Sequence, residues 1–295
     1  MVENRTVSSV LFKIFNYTLI TILALSCLYP LWYEFCMSIS NKLATDSGLV
    51  TFYPIMPTLR SYQLIMGDGL FWKAFMTSVL RVLFGTVWTM IIIIMMAYPL
   101  SKSSRVYKPR TILMWVLVFC MLFNGGTIPW YITMGNYGLI NKFVALIICG
   151  SVPVFNVLLL MNFFRNLPKD IEEAAVVDGA GPWRILWQII VPCSVPVIAT
   201  VVLFTSVGFW NEYFQGLVLM QTQDRYPLQT YIRQITVQIP VGVTLTTEQY
   251  QQLAENSNKG LDAAKVFIAM IPMLIVYPFL QKYFVSGIML GAVKG

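Results

Sequence analysis

Six stretches of this sequence are long and apolar enough to cross a membrane as helices: Val10–Tyr33, Ala74–Leu100, Thr111–Met134, Lys142–Phe164, Val195–Met220 and Ala264–Phe284. A bilayer core about 30 Å thick needs roughly 20 such residues. In that medium a helix satisfies its backbone polar groups within itself. The composition agrees: of 295 residues, 57% are hydrophobic and only 11% charged, and the mean hydropathy is +0.69. A soluble domain carries about 25% charged residues, so this chain lacks the polar surface to be wetted all round. The first apolar stretch exceeds the roughly 7–15 residues of a signal-peptide core, which predicts a retained helix. The expectation is an all-α integral membrane protein with six transmembrane helices in one domain, residues 10–286.

Orientation follows from the basic residues of the short connections. Lys102, Arg105, Lys108 and Arg110 lie between the second and third stretches with no acid among them, whereas the opposite short loop, Gly135–Asn141, has no basic residue. Placing the basic loop in the cytoplasm puts both termini there, residues 1–9 and 287–295. The net charge of +7 is then a topology signal, and nucleic acid is not an expected partner. Two long outer loops result, 34–73 and 221–261. The second is polar and rich in glutamine (Gln234, Gln238, Gln249, Gln251, Gln252), with Asn256-Ser257-Asn258 near its end. It reads either as a solvated loop or as a docking surface for an external partner.

Several chemistries are excluded. Without histidine there is no His-based acid–base catalysis and no His-ligated metal. No Gly-x-x-x-x-Gly-Lys-Ser/Thr run is present to cradle nucleotide phosphates. Cys27, Cys36, Cys120, Cys149 and Cys193 fit no zinc spacing. No catalytic residue and no metal site is expected. Two ionisable residues, Arg81 and Glu212, fall inside apolar stretches at similar depth, where charge is costly and often functional. They can form an ion pair, or Arg81 can snorkel outwards while Glu212 faces a wet cavity alone. Trp210, Asn211 and Tyr213, aromatic rings beside an amide, are candidates for a substrate path beside Arg81 and Glu212, or simply anchors at the membrane interface.

The segment 166–192 is the most informative. Pro168 suits a first helical turn, and Asp170, Glu172 and Glu173 place negative charge near the positive end of the helix dipole. Leu167, Ile171, Ala174, Ala175 and Asp178 recur at helical spacing as a narrow stripe of small and apolar residues. Gly179 and Gly181 stop that helix and Pro182 starts another, until Pro192 and Pro196 interrupt the chain. An amphipathic helix resting on lipid usually carries Lys or Arg on its polar face. This acidic hairpin is better suited to a protein partner with a basic rim.

Glu173-Ala174-Ala175, three residues, Gly179, nine residues, then Ile189-Ile190-Val191-Pro192 resembles the EAA loop of ABC importer permeases in every spacing, with Val191 where the family has leucine. Asp178-Gly179-Ala180 is similar to the carbohydrate-uptake branch. Further resemblances are Gly125-Gly126-Thr127-Ile128-Pro129, Tyr137-Gly138-Leu139-Ile140-Asn141, the Trp210-Asn211 pair, and the tail from Gly287 to Gly295, which is similar to MalG-type subunits. The chain looks like a member of the LplC/YtcP-like group of oligosaccharide permeases from Gram-positive bacteria.

That resemblance implies a type I ABC importer permease fold with cytoplasmic EAA coupling helices. It implies a carbohydrate importer in the bacterial plasma membrane. The partners implied are a second homologous permease, two ATPase subunits that hold the ATP and magnesium, and an extracellular binding protein, expected to be a lipoprotein. No cofactor is implied on this chain. Glu173, Ala174, Ala175, Asp178 and Gly179 would couple to the ATPase, the tail would reach towards it, and the last outer loop would enter the binding protein. An ATP-independent secondary transporter or channel is the rival reading, but it predicts an internal repeat or mid-span carboxylates. An intramembrane enzyme needs a nucleophile with its base, or a metal cluster. Neither rival accounts for the acidic hairpin.

Overall fold

The computed structural model describes residues 7–150, 152–236 and 258–292, and all regular structure among them is helical. Gln238, Gln249, Gln251, Gln252, Asn256 and Ser257 of the expected outer surface, and the last three residues of the tail, lie outside the described residues. The chain divides into two compact units, one of residues 1–69 with 234–271 and the other of residues 70–233 with 272–295.

The first unit is built on α1 (Val7–Ser38), α2 (Lys42–Asp46) and α3 (Arg60–Gly67). At 1.5 Å per residue, 32 residues of α1 reach about 48 Å. Only Cys36, Met37 and Ser38 of that helix are buried, so an apolar surface several turns long is open to lipid or to another chain. Beyond α1 the chain leaves the helix and Asn41 restarts it, its side chain accepting the Leu43 N–H at 3.0 Å. Cys36, Met37, Ala44 and Val50 pack with Ala263 as a small core, and Lys265 pairs with Asp68 at 2.7 Å. The expected loop 34–73 is therefore partly helical. Its first residues prolong α1, because a helix ends where a cap or breaker stands and not where a bilayer does.

The second unit begins with α4 (Gly69–Ser101). It continues through α5 (Arg110–Leu122), α6 (Thr127–Asn136), α7 (Phe143–Ile148), α8 (Val154–Asn166) and α9 (Lys169–Val177). Next come α10 (Pro182–Ile185), a π-helical turn at Leu186–Ile190 and α11 (Val191–Cys193). The widened turn suits Pro192, which has no N–H to offer the Gln188 carbonyl. Then follow α12 (Val195–Asn211), α13 (Phe214–Leu219), α14 (Leu228–Thr236) and α15 (Lys259–Ala292), the last two shared with the first unit.

Three of the six expected continuous helices are broken. The stretch 111–134 becomes α5 and α6, which meet at 116°. Gly126 lies between them with φ +87°, a conformation that side chains resist. The stretch 142–164 is interrupted by Gly150 and Pro153. The stretch 195–220 ends at Asn211 and resumes at Phe214, with Glu212 extended between. Upstream, the α10–α11 run bends by 84° into α12. Among the described residues α1 and α4 are each long and apolar enough to cross a membrane, and the two bent pairs qualify jointly.

One apolar core joins these pieces. Ile93, Ala97 and Leu100 of α4, at helical spacing, pack with Val157, Leu160 and Phe164 of α8 and Val197 and Val201 of α12. Ala175 of α9 and Ile185, Leu186 and Ile190 of the following helix belong to the same cluster. Side chains press against the backbone at two glycines. The Phe209 ring occupies the space where a Cβ on Gly85 would stand, 2.8 Å away. A Cβ on Gly216 would come within 2.2 Å of the Thr230 hydroxyl and 2.7 Å of Pro227, and that hydroxyl already donates to the Tyr213 carbonyl at 2.7 Å. Overpacking of this kind costs roughly 1–3 kcal/mol. Gly216→Ala is therefore expected to lower the thermal midpoint in detergent by several degrees. Gly67→Ala, where an added Cβ meets nothing within 4 Å, should leave it unchanged or higher. Equal midpoints for the two variants would refute the tight contact.

Candidate functional site

The connection between α8 and α12 forms a compact hairpin. α9 starts after Pro168, with Asp170 and Glu172 in its first turn. It stops in a Schellman motif: the Gly179 N–H reaches the Val176 carbonyl at 3.0 Å and the Ala180 N–H reaches the Ala175 carbonyl at 2.9 Å. Gly179 adopts φ +78° with open space around it. Its requirement is conformational and not steric. Pro182 then opens the next helix.

The predicted stripe divides. Neighbouring helical residues point about 100° apart, so Ala174 and Ala175 cannot share one direction. Ala175 is buried in the core with Leu167 and Ala180 packed nearby. Ala174, Glu173 and Asp178 are exposed, and so are the larger apolar groups Val177 (87%) and Trp183 (62%). The face presented outward is therefore an apolar and acidic tip, and Ala175 anchors it from beneath.

Glu172 has a second role that its position in the sequence does not reveal. Both of its carboxylate oxygens accept from Lys102 Nζ at 2.5 Å, and Tyr98 Oη donates to Oε1 at 3.2 Å. Lys102 Nζ also lies 4.2 Å from the centre of the Tyr98 ring. These contacts tether α9 to the carboxyl-terminal end of α4, and the partners are 70 and 74 residues away along the chain.

Elsewhere in this unit, Arg81 and Glu212 do form the ion pair, Nη2 to Oε2 at 2.8 Å, with Arg81 fully buried. Arg81 Nε donates to the Leu146 carbonyl at 3.0 Å, Nη1 to the Glu212 carbonyl at 3.0 Å, and Nη2 also to Gln215 Oε1 at 2.5 Å. The other Glu212 carboxylate oxygen accepts the Gln215 N–H at 2.8 Å, capping the start of α13. The Phe209 ring lies 5.6 Å from the guanidinium carbon. A cavity of about 130 Å³ beside this knot is lined by Arg81, Glu212, Gln215, Asn156, Thr205 and Phe209, among others. Asn156 Nδ2 donates to Thr205 Oγ1 at 3.1 Å.

Of the five residues expected on a substrate path, only Arg81 and Glu212 line that cavity. Trp210 is buried, edge-on to Phe75 at 5.9 Å. Asn211 is exposed, and Tyr213 carries the Arg233 guanidinium 4.8 Å above its ring. Gln215 and Asn156 were not singled out from the sequence, and Lys102 only as a topology signal. The helix break at Glu212 brings Gln215 to Arg81. Among the described residues no group of three or more potential ligands of the His, Cys, Asp or Glu type could hold a metal ion.

The described residues thus form a largely apolar, helical chain with broken spans and an acidic hairpin closed by a left-handed glycine. Residues 64–290 match the binding-protein-dependent transport system inner membrane component family, and the chain belongs to that family. It is similar to protein LplC of Bacillus subtilis, 36% identical over 265 residues and covering 88% of each chain. It is also similar to the polygalacturonan/rhamnogalacturonan transport system permease protein YtcP of the same organism, 32% identical with 97% of this chain and 99% of that one covered. Among solved structures it superimposes on a chain of a bacterial ABC transporter involved in the import of the acidic polysaccharide alginate, with a TM-score of 0.83, 33% identity and coverage of 95% and 98%. The fold is that of an ABC importer permease, a transport subunit and not an enzyme.

Arg81 serves four acceptor contacts with one planar fork, which an ammonium cannot reproduce. Arg81→Lys is therefore expected to cost about 3 kcal/mol and to lower the thermal midpoint more than Glu212→Gln, which keeps an acceptor oxygen. The exchange Arg81→Glu with Glu212→Arg should not restore it, because three of the four contacts are not with a carboxylate. Full recovery in the exchanged variant, or a milder loss in Arg81→Lys, would contradict this assignment.

Proposed function

We propose that this chain is one of two homologous permease subunits of an ATP-driven importer for a carbohydrate, most simply an oligosaccharide. In this reading it crosses the bacterial plasma membrane six times with both termini in the cytoplasm and forms half of the translocation path. An extracellular binding protein delivers the sugar, and two ATPase subunits supply the energy. The sugar assignment is supported by the polygalacturonan/rhamnogalacturonan and alginate systems of the relatives. The need for a binding protein is supported by the family.

One observation carries the coupling role: an exposed tip of Ala174, Val177 and Asp178, with Trp183 of the next helix, where α9 is fixed to the core by Ala175 and to α4 by Glu172–Lys102. ATP binding can favour one permease arrangement only if the ATPase contacts the arrangements differently. A cleft that seats this tip and moves would drag α9, and the ion pair would pass that displacement to α4. The sequence has no phosphate-binding loop of its own, so ATP and its magnesium belong to the partner. The tail and the outer segment 221–261 are assigned contacts with the ATPase and with the binding protein, respectively.

The test is purification of the tagged chain from its native membrane, followed by reconstitution. A second permease and an ATPase in proportions of about one to one to two, with sugar-stimulated ATP hydrolysis, are expected. A homo-oligomer that moves solute without ATP would overturn the reading. Within the complex, Gly179→Val should abolish most of the stimulation, because a left-handed residue with a side chain costs roughly 1–2 kcal/mol and β-branching adds to that. Gly179→Asn should retain most of it. Wild-type stimulation in both variants would remove the hairpin from the coupling path.

A further inference from the structure

Beside α9 runs a groove of about 840 Å³, bounded by the loop after α4, the start of α5, the end of α8 and α9 itself. Four cations line it, Lys102, Arg110, Arg165 and Lys169, against the two carboxylates Glu172 and Glu173. Lys102 and Glu172 neutralise one another. Arg110 spends only its Nε, on the Leu100 carbonyl at 2.9 Å. Among the described residues no acceptor is found for its terminal nitrogens, or for Arg165 or Lys169. Three cationic groups therefore face one groove against a single unpaired carboxylate. Serines 103 and 104 add hydroxyl donors, and Phe164, Val176 and Ile190 supply apolar wall.

We propose that this groove binds the phosphodiester headgroup of an anionic phospholipid and so braces the coupling helix. The groove is walled by apolar side chains as well as cations, which favours a lipid over a soluble phosphate. Basic pockets between helices at the cytoplasmic boundary suit anionic headgroups, whose leaflet is negatively charged. The ligand rests on the topology proposed above. A seated phosphodiester would bridge Arg110 to Arg165 and Lys169, adding a second tether between α9 and the start of α5 to the Glu172–Lys102 link.

The experiment uses the chain purified with whatever subunits accompany it, in nanodiscs of phosphatidylcholine with a minority of phosphatidylglycerol. Retained phosphatidylglycerol is counted by native mass spectrometry. Arg165→Gln with Lys169→Gln is expected to weaken retention roughly 5-fold per cation removed. Arg105→Gln with Lys108→Gln removes the same charge from the adjacent loop but not from the groove, and should retain the lipid. Equal retention in all three proteins, or equal loss in both double variants, would overturn the site. Displacement of the lipid by millimolar inorganic phosphate would show a soluble-anion site instead. Retention by the isolated chain but not by the complex would show that the ATPase covers the groove, and would also overturn the proposal. Because the readout is lipid mass, a chain that keeps its lipid without coupling to ATP hydrolysis would refute the transport reading and spare this one.

Discussion

Breaking a helix inside an apolar layer exposes backbone carbonyls that no water is at hand to satisfy, and one guanidinium answers that problem here. Leu146 is in the last turn of α7, where carbonyls lose their intrahelical partners, and its oxygen accepts from Arg81. The Glu212 carbonyl, freed where α12 stops, accepts from the same side chain. The carboxylate of Glu212 balances the charge and caps α13 in turn. Arg81 therefore ties α4, the α7–α8 break and the α12–α13 break together from a fully buried position. Phe209 closes over it because Gly85 and Gly150 leave room for the ring. A buried ion pair by itself is weak support for stability. Its worth here lies in the orphaned backbone groups that it serves.

The hairpin after α8 uses a different means to the same end. A nine-residue helix has little stability of its own, and α9 is held by a shared core beneath and by one ion pair at its side. That leaves its tip exposed, apolar and acidic. The Schellman turn at Gly179 fixes where the next helix departs. Tip, anchor and turn are thus separate residues with separate physical roles, although they adjoin in sequence.

The apolar stretches located the long helices α1 and α4 well, although Pro30 and Pro99 lie within them. Breakers within the other stretches were in plain view at Gly125-Gly126, Gly150 and Pro153, but a count of apolar residues is blind to them. The break at Glu212 left only a weak mark, Asn211, a poor helix former at which α12 ends. It is stabilised by acceptors and donors far away along the chain. Glu173, Ala174, Ala175 and Gly179 were legible as a hairpin from spacing. The division of labour between Ala174 and Ala175 was not, because it depends on which side the core of α4, α8 and α12 lies.

By itself the sequence determined that this chain is helical and belongs in a membrane, and that residues 166–192 turn back on a glycine. Apolar length, charge asymmetry and left-handed backbone preference are local properties, read without knowing what lies nearby. Only the tertiary structure decided that Arg81 meets Glu212, Gln215 and Leu146, that Glu172 is spent on Lys102, and that Arg110, Arg165 and Lys169 line one groove. Those are meetings of groups tens of residues or more apart. Similar depth in a span fixes one coordinate of such a meeting, and packing supplies the other two.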